Sequence, residues 1–283
     1  MNTSSQNTSS TETAANTVNT ITSYSDYYHN FDMSALLTEI FGEQLDDRLN
    51  AYMACCGRHI RDGRGDNIAL VHEDTAGNVT RMSFAELDKA SAQVANLLQS
   101  YGVQVGDQVA TMLPRSPELL TIVLATWRIG AVYQPLFTAF GYDSIQYRID
   151  KANTKVVFTN QENRGKFEDL AKQTKMVLVG SKVDAQSWGD DNYAEKISTQ
   201  LQTAHSQKVP PVSLNTDAPF LQMFTSGTVG KAKGVSVPLS ALSAFYLYMR
   251  YAIDLRADDN YWNMADPGWA YGLYYAITGP LLM

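Results

Sequence analysis

Residues 225–234, TSGTVGKAKG, gather phosphate-gripping groups into one short run of a chain whose formal net charge is −7. Gly227, Gly230 and Gly234 let the backbone approach a ligand closely and adopt positive φ, so that successive N–H groups point at one anion. The hydroxyls of Thr225, Ser226 and Thr228 add hydrogen bonds, and Lys231 and Lys233 add charge. Charge-assisted bonds to phosphate are roughly twice as strong as neutral ones. The run is not a Walker P-loop, because Lys231 is followed by Ala232 where that motif needs Ser or Thr, and the glycine spacing differs. On composition alone an exposed hairpin suits these residues equally well.

A second candidate is the stretch 264–272, MADPGWAYG, in which Asp266, Gly268, Trp269, Ala270, Tyr271 and Gly272 combine a carboxylate, a flat aromatic wall and room for a ligand. Read by itself it also suits an ordinary Asp-Pro-Gly turn with Trp269 as core filler. Other chemistries find little support. His29, His59, His72 and His205 are scattered without ligand spacing, and no GxSxG, HExxH or dinucleotide fingerprint occurs. Cys55 and Cys56 are adjacent, which suits neither a disulfide framework nor a zinc site and implies a reducing compartment, the cytoplasm. Phe245, Tyr246, Tyr248 and Tyr251 share one helical segment and read as core before they read as a stacking platform.

The elements that must position these groups follow from composition and pattern. At 283 residues, 45% hydrophobic and 18% charged, the chain can bury one large or two modest cores. Its acidity gives no general attraction to nucleic acid or anionic lipid, and no apolar run approaches the length of a membrane span. Residues 1–22 are Asn, Thr, Ser, Gln and Ala almost throughout, too polar to offset the entropy of ordering, and read as a disordered leader. No Lys or Arg precedes Arg48, so this is neither a secretory signal nor a transit peptide.

Ser83 and Glu86 form a capping box ahead of apolar residues at helical spacing, which predicts a helix ending at Gly102. A strand at 109–113 follows, then a helix with Ser116 as cap and Pro117 as first residue. Strands at 132–136, 156–159 and 176–179 alternate with helices around 145–151 and 167–172. Such alternation predicts an α/β fold, doubly wound, with mostly parallel sheets and helices on both faces. A polar connection at 181–216 with room for one helix separates this first unit, about 66–180, from the start of a second at 217–283. The second unit contains strand 220–224, the glycine-rich loop, 235–237 and a helix from Leu239 to Ile253. The apolar end at Leu281, Leu282 and Met283 has no cap or turn signal and no evident cover, so the chain reads as the front portion of a longer protein.

The order of residues sharpens this. TSGTVGKAKG resembles TSGTTGxPKG, the phosphate-loop signature of the AMP-forming adenylating superfamily, which includes acyl-CoA synthetases, peptide-synthetase adenylation domains and luciferases. Val229 replaces the second threonine of the signature and Ala232 its proline. The run at 82–137, MSFAELDKASAQVANLLQSYGVQVGDQVATMLPRSPELLTIVLATWRIGAVYQPLF, and MADPGWAYG at 264–272 are similar to the acyl-CoA branch, acetyl-CoA synthetases included, so the likeness spans about 66–283.

The resemblance implies that residues 23–283 are part of the large N-terminal AMP-binding domain of an acyl-adenylating enzyme whose C-terminal domain is absent here. It implies ATP with Mg²⁺, coenzyme A as co-substrate, and activation of a small, acetate-like carboxylic acid through an acyl-adenylate, with a medium-chain or aromatic acid, or an inactive nucleotide-binding fragment, as alternatives. Thr225, Ser226, Gly227, Thr228 and Gly230 would hold the β- and γ-phosphates and Lys233 would neutralise their charge. Asp266 and residues 268–272 would line the acyl and adenylate pocket. Phe140, Arg164 and Lys166 fall where related synthetases meet coenzyme A, with surface solvation as the alternative for the last two. Catalytic and metal-binding residues would lie past the equivalent of Met283, leaving these 283 residues alone inactive.

Overall fold

The computed structural model describes residues 23–42, 48–170, 174–180, 183–202, 209–225 and 232–283. The expected leader at 1–22 lies outside them. The chain divides into two units, Met1–Leu36 and Leu37–Met283. In the first, the Ser23 hydroxyl accepts the Asp26 amide at 3.1 Å and so caps helix α1 (Tyr24–Asn30). Helix α2 (Met33–Phe41) follows.

The second unit is organised by short strands: β1 (Arg48–Leu49), β2 (Ile68–Glu73), β3 (Val79–Ser83), β4 (Gln108–Met112), β5 (Val132–Pro135), β6 (Thr154–Thr159), β7 (Lys175–Leu178), β8 (Asp191–Asn192), β9 (Leu214–Asn215), β10 (Pro219–Thr225) and β11 (Lys233–Pro238). Seven of them form one sheet in the order β11-β10-β5-β4-β6-β7-β8. Every pairing in it is parallel except the β10–β11 hairpin. The central strand β4 must be apolar on both faces, and Val109, Ala110 and Met112 are all fully buried.

The helices of this unit are α3 (Arg58–Arg61), α4 (Phe84–Ser100), α5 (Pro117–Arg128), α6 (Tyr142–Ala152), α7 (Gln161–Arg164), α8 (Ala185–Trp188), α9 (Tyr193–Gln202), α10 (Ala241–Leu247), α11 (Ala270–Gly272) and α12 (Gly279–Leu281). The capping box is present: the Ser83 hydroxyl accepts from the Glu86 amide at 3.2 Å and the Glu86 carboxylate from the Ser83 amide at 2.8 Å. Ser116 caps α5 and Pro117 is its first residue. From β4 the chain steps one way to β5, then back past β4 to β6, so right-handed connections place α5 and α6 on opposite faces. Ile145 and Ile149 of α6 accordingly share a core cluster with Ala110, Met112, Val157 and Met176. The chain thus reverses its direction of winding between β4 and β5, the point at which open α/β sheets bind ligands beyond the carboxyl ends of their strands.

Three expectations need correction. Strand β10 does not open a second sheet; it joins the first, parallel to β5 with Leu221 opposite Tyr133, and the Trp127 indole of α5 donates to the Phe220 carbonyl at 3.1 Å. The span 181–216 holds α8, β8, α9 and β9 instead of one helix, with β8 extending the sheet and β9 pairing antiparallel with β1. The helix expected at 239–253 is α10 followed by a π-helical turn, Tyr248–Ala252.

The apolar end also has a cover. Leu281 and Leu282 are buried, and their carbonyls accept from His59 Nε2 at 2.8 Å and from the Arg58 guanidinium, so two basic side chains satisfy the end of α12. The His59 ring stacks on Phe84 at 4.0 Å, and burial pulls its pKa down to about 4 from 6.5, with the Leu281 bond opposing the shift and the Arg58 charge adding to it. The folded state therefore keeps His59 neutral while the unfolded chain protonates it, so its stabilisation is complete above about pH 6.5 and is lost as pH falls toward 4. Urea midpoints measured across that window should fall less steeply for His59→Asn, which keeps a donor but does not titrate, than for wild type. Equal slopes would remove His59 from the account.

Candidate functional site

Strands β10 and β11 present the glycine-rich run between them. Their last ladder pair is Thr225 with Lys233, both exposed at the mouth of the hairpin. Ser226, Gly227, Thr228, Gly230 and Lys231 lie outside the described residues. Because β10 runs parallel to β5, Thr225 leaves the sheet at the same edge where β5 ends and the chain continues to Phe137.

The stretch 264–272 is pressed onto Phe137, just past the end of β5. The Asp266 carboxylate accepts the Gly268 amide at 2.7 Å and its carbonyl the Trp269 amide at 3.0 Å, which closes a tight turn. A Cβ on Gly268 would sit 2.5 Å from the Phe137 Cα, and one on buried Gly272 would sit 2.1 Å from the Asp266 carbonyl oxygen. Both positions need glycine because backbone meets backbone there. From the loop after β4, the Arg115 guanidinium donates to the Met264 carbonyl and ties this stretch to the central strand.

The turn leaves Trp269 50% exposed, packed against Phe137 at 5.1 Å and Phe140 at 6.0 Å. Phe137 and Phe140 meet edge to face at 5.7 Å. Helix α6 joins this wall to the hairpin, for the Arg148 guanidinium lies 4.2 Å over the Phe140 ring and 5.6 Å over the ring of Phe224 on β10. The neighbouring Tyr147 hydroxyl donates to the Ala232 carbonyl at 2.8 Å, and its ring stands edge-on to Phe224 at 6.4 Å. Below the wall, burial raises the pKa of the Tyr133 phenol; its bond with the Thr111 hydroxyl at 2.5 Å works against this and the Asp266 charge adds to it.

Tyr271 is 47% exposed and meets Tyr275 edge to face at 5.0 Å, and its bond with Tyr248 raises the latter's pKa. Ala270 begins α11, directly after Trp269. The structure thus brings Phe140 together with Trp269, while Thr225 and Lys233 stand at the hairpin mouth. Arg164 is not part of this group and is not a surface cation. Its guanidinium is 1% exposed, pairs with Asp190, donating to Oδ1 at 3.0 Å, and lies 4.7 Å from the centre of the Trp188 ring. It is thus held in a buried ion pair and not solvated at the surface. Lys166 is half-buried and donates to the Thr138 carbonyl at 2.5 Å and to Asn163 Oδ1 at 2.8 Å, which fastens the segment after β5. Tyr147, Arg148, Phe137 and Arg115 escape sequence reasoning because helical spacing marks only Ile145 and Ile149 on α6, and the cross-strand neighbours are set by topology.

Cys55 and Cys56 are buried free thiols, and burial pushes the Cys56 pKa up to about 12, so they pack as small hydrophobes. Among the described residues no cluster of three His, Cys, Asp or Glu side chains could hold a metal ion, and no helix is long and apolar enough to cross a membrane.

Comparison with known proteins places the chain in one family. The family model described as AMP-binding enzyme matches residues 58–283. The acetyl-coenzyme A synthetase of Streptomyces avermitilis is 32% identical over 253 residues, which cover 83% of this chain and 38% of the relative. That of Bacillus subtilis is 32% identical over 264 residues, covering 92% and 44%. The crystal structure of the Brucella canis acyl-CoA synthetase matches with a TM-score of 0.81 at 40% identity, over 92% of this chain and 46% of that one. The chain thus spans less than half the length of these relatives.

The backbone contacts of the 264–272 turn make a direct prediction. Gly272→Ala should destabilise the chain by about 1–3 kcal/mol in urea melts, as overpacking does. Gly165→Ala, whose Cβ meets nothing within 4 Å, should stay within about 0.5 kcal/mol of wild type. Equal stability of the two variants would refute the close approach.

Proposed function

The chain belongs to the AMP-binding enzyme family, and from that premise we propose that it forms the nucleotide and acyl sites of an ATP-dependent acid–thiol ligase working through an acyl-adenylate. One observation carries this reading. The hairpin bearing residues 225–234 and the aromatic wall of Phe137, Phe140 and Trp269 open at the same sheet edge, joined through Arg148. A polyphosphate loop beside an apolar wall is what a site needs to bring a carboxylate against a nucleotide's α-phosphate.

In the proposed first step a carboxylate oxygen attacks the α-phosphorus of ATP, a new P–O bond forms, and the bond to pyrophosphate breaks. Two anions must approach each other, so N–H donors, hydroxyls and a cation around the phosphates lower the barrier. Thr225, Ser226, Gly227, Thr228 and Gly230 hold the β- and γ-phosphates in this reading, and Lys233 balances their charge. Mg²⁺ bound to ATP would offset part of the phosphate charge, and no described residue is assigned to it. In the second step the thiol of coenzyme A attacks the acyl carbon and the bond to AMP breaks. Phe140 and Lys166 are assigned to contact with coenzyme A in this reading.

The acyl wall is assigned to Asp266, Gly268, Trp269, Ala270, Tyr271 and Gly272. The first reading is a short, acetate-like acid, supported by relatives named acetyl-coenzyme A synthetase. The half-exposed rings of Trp269 and Tyr271 favour a second reading, a medium-chain or aromatic acid. The acidic composition and the adjacent reduced thiols fit a cytoplasmic enzyme. Since the chain spans 38–46% of its relatives, these 283 residues are assigned nucleotide binding, and full turnover is assigned to the reaction as the longer relatives conduct it.

Calorimetry on the 283-residue chain tests the assignment. ATP should bind, and Lys233→Ala should weaken binding roughly ten- to a hundredfold, the range for losing a charged hydrogen bond. Gly227→Leu should abolish it by blocking the backbone's approach, and no ATP–pyrophosphate exchange should occur with acetate. Unchanged affinity in both variants would end the proposal.

A further inference from the structure

We propose that Tyr147 is a positioning residue for the nucleotide loop, holding the loop's exit at Ala232, the position at which the family signature carries proline. The inference rests on the nucleotide-binding reading of that loop. The ladder between β10 and β11 ends at the pair Thr225 and Lys233, so Ala232 is the first residue beyond it. Proline at that position would fix φ near −65° by its ring. Alanine has no such lock, and here its carbonyl accepts from the Tyr147 hydroxyl at 2.8 Å.

The base of this tether is fixed. Tyr147 lies on α6, between Ile145 and Ile149, which are 0% and 3% exposed in the core with Ala110 and Met112 of the central strand. The Gln134 side chain of β5 donates to the Arg148 carbonyl at 3.2 Å, adding a second attachment to the sheet. Two consecutive residues of one helix thus converge on the hairpin: Tyr147 holds its exit and flanks Phe224, and Arg148 covers Phe224 from the side of Phe140. Restricting the exit before the ligand arrives reduces the ordering cost of binding, which raises affinity without a new ligand contact. Tyr147 touches no phosphate in this scheme; it acts through the position of Ala232 and the adjoining Lys233.

The test compares wild type, Tyr147→Phe, Ala232→Pro and the double variant, all in the 283-residue chain. Tyr147→Phe keeps the ring and its packing and removes only the hydroxyl. Two quantities are read: amide hydrogen exchange of residues 226–236 without nucleotide, and the affinity for ATP. Tyr147→Phe should exchange several-fold faster and bind ATP roughly three- to tenfold more weakly, the span for one neutral hydrogen bond. Ala232→Pro should restore both in the Tyr147→Phe background and change neither much in wild type, a rescue that a purely structural tyrosine does not give. Wild-type exchange in Tyr147→Phe, or an equal loss from Ala232→Pro in both backgrounds, overturns the proposal. If none of the four proteins binds ATP while the exchange pattern holds, the nucleotide reading fails and the tether stands.

Discussion

The parallel pairing of β10 with β5 is the constraint on which the candidate site depends. It is a short contact, with Leu221 opposite Tyr133, yet it sends Thr225 out of the sheet at the edge where β5 runs on to Phe137. An antiparallel pairing would turn the hairpin to the opposite edge and part the loop from the aromatic wall. The indole of Trp127 supports this pairing, because its buried N–H finds its partner in the Phe220 carbonyl of β10.

From that edge the site is assembled by backbone approach and by one helix. The turn after Asp266 can lie on Phe137 because Gly268 and Gly272 have no side chain to hold it off. Helix α6, packed on the sheet through Ile145 and Ile149, spends its next residues Tyr147 and Arg148 on the hairpin and the wall. The two halves of the site are thus referred to one rigid body. Their mutual geometry then follows from a packed core and not from loop conformation.

Much of the first half of the fold was legible because local signals there agree with the global arrangement. Ser83 with Glu86, Ser116 with Pro117, and the apolar runs at 109–113 and 156–159 each specify an element without outside help. The sheet membership of β10 was not legible, since a strand's sequence says that it is buried and not which neighbour it finds. Arg164 shows the same limit at a single residue. A cation in a polar stretch reads as solvated or ligand-facing, and only the fold reveals Asp190 and Trp188 arriving from a later segment to enclose it. The loop itself was legible in composition, whereas the Tyr147 contact at its exit spans 85 positions and leaves no local trace.

The order of the strands has a consequence for how the chain reaches this state. Strand β5 is made well before β10, and until β10 docks, one long edge of β5 offers unpaired N–H and C=O groups beside apolar side chains. Such an edge is a template for pairing with another chain, and contacts of such sequence separation form slowly. Until β10 docks, that edge of β5 is therefore open to mispairing, and the hairpin that carries residues 226–231 between its strands is also what closes it.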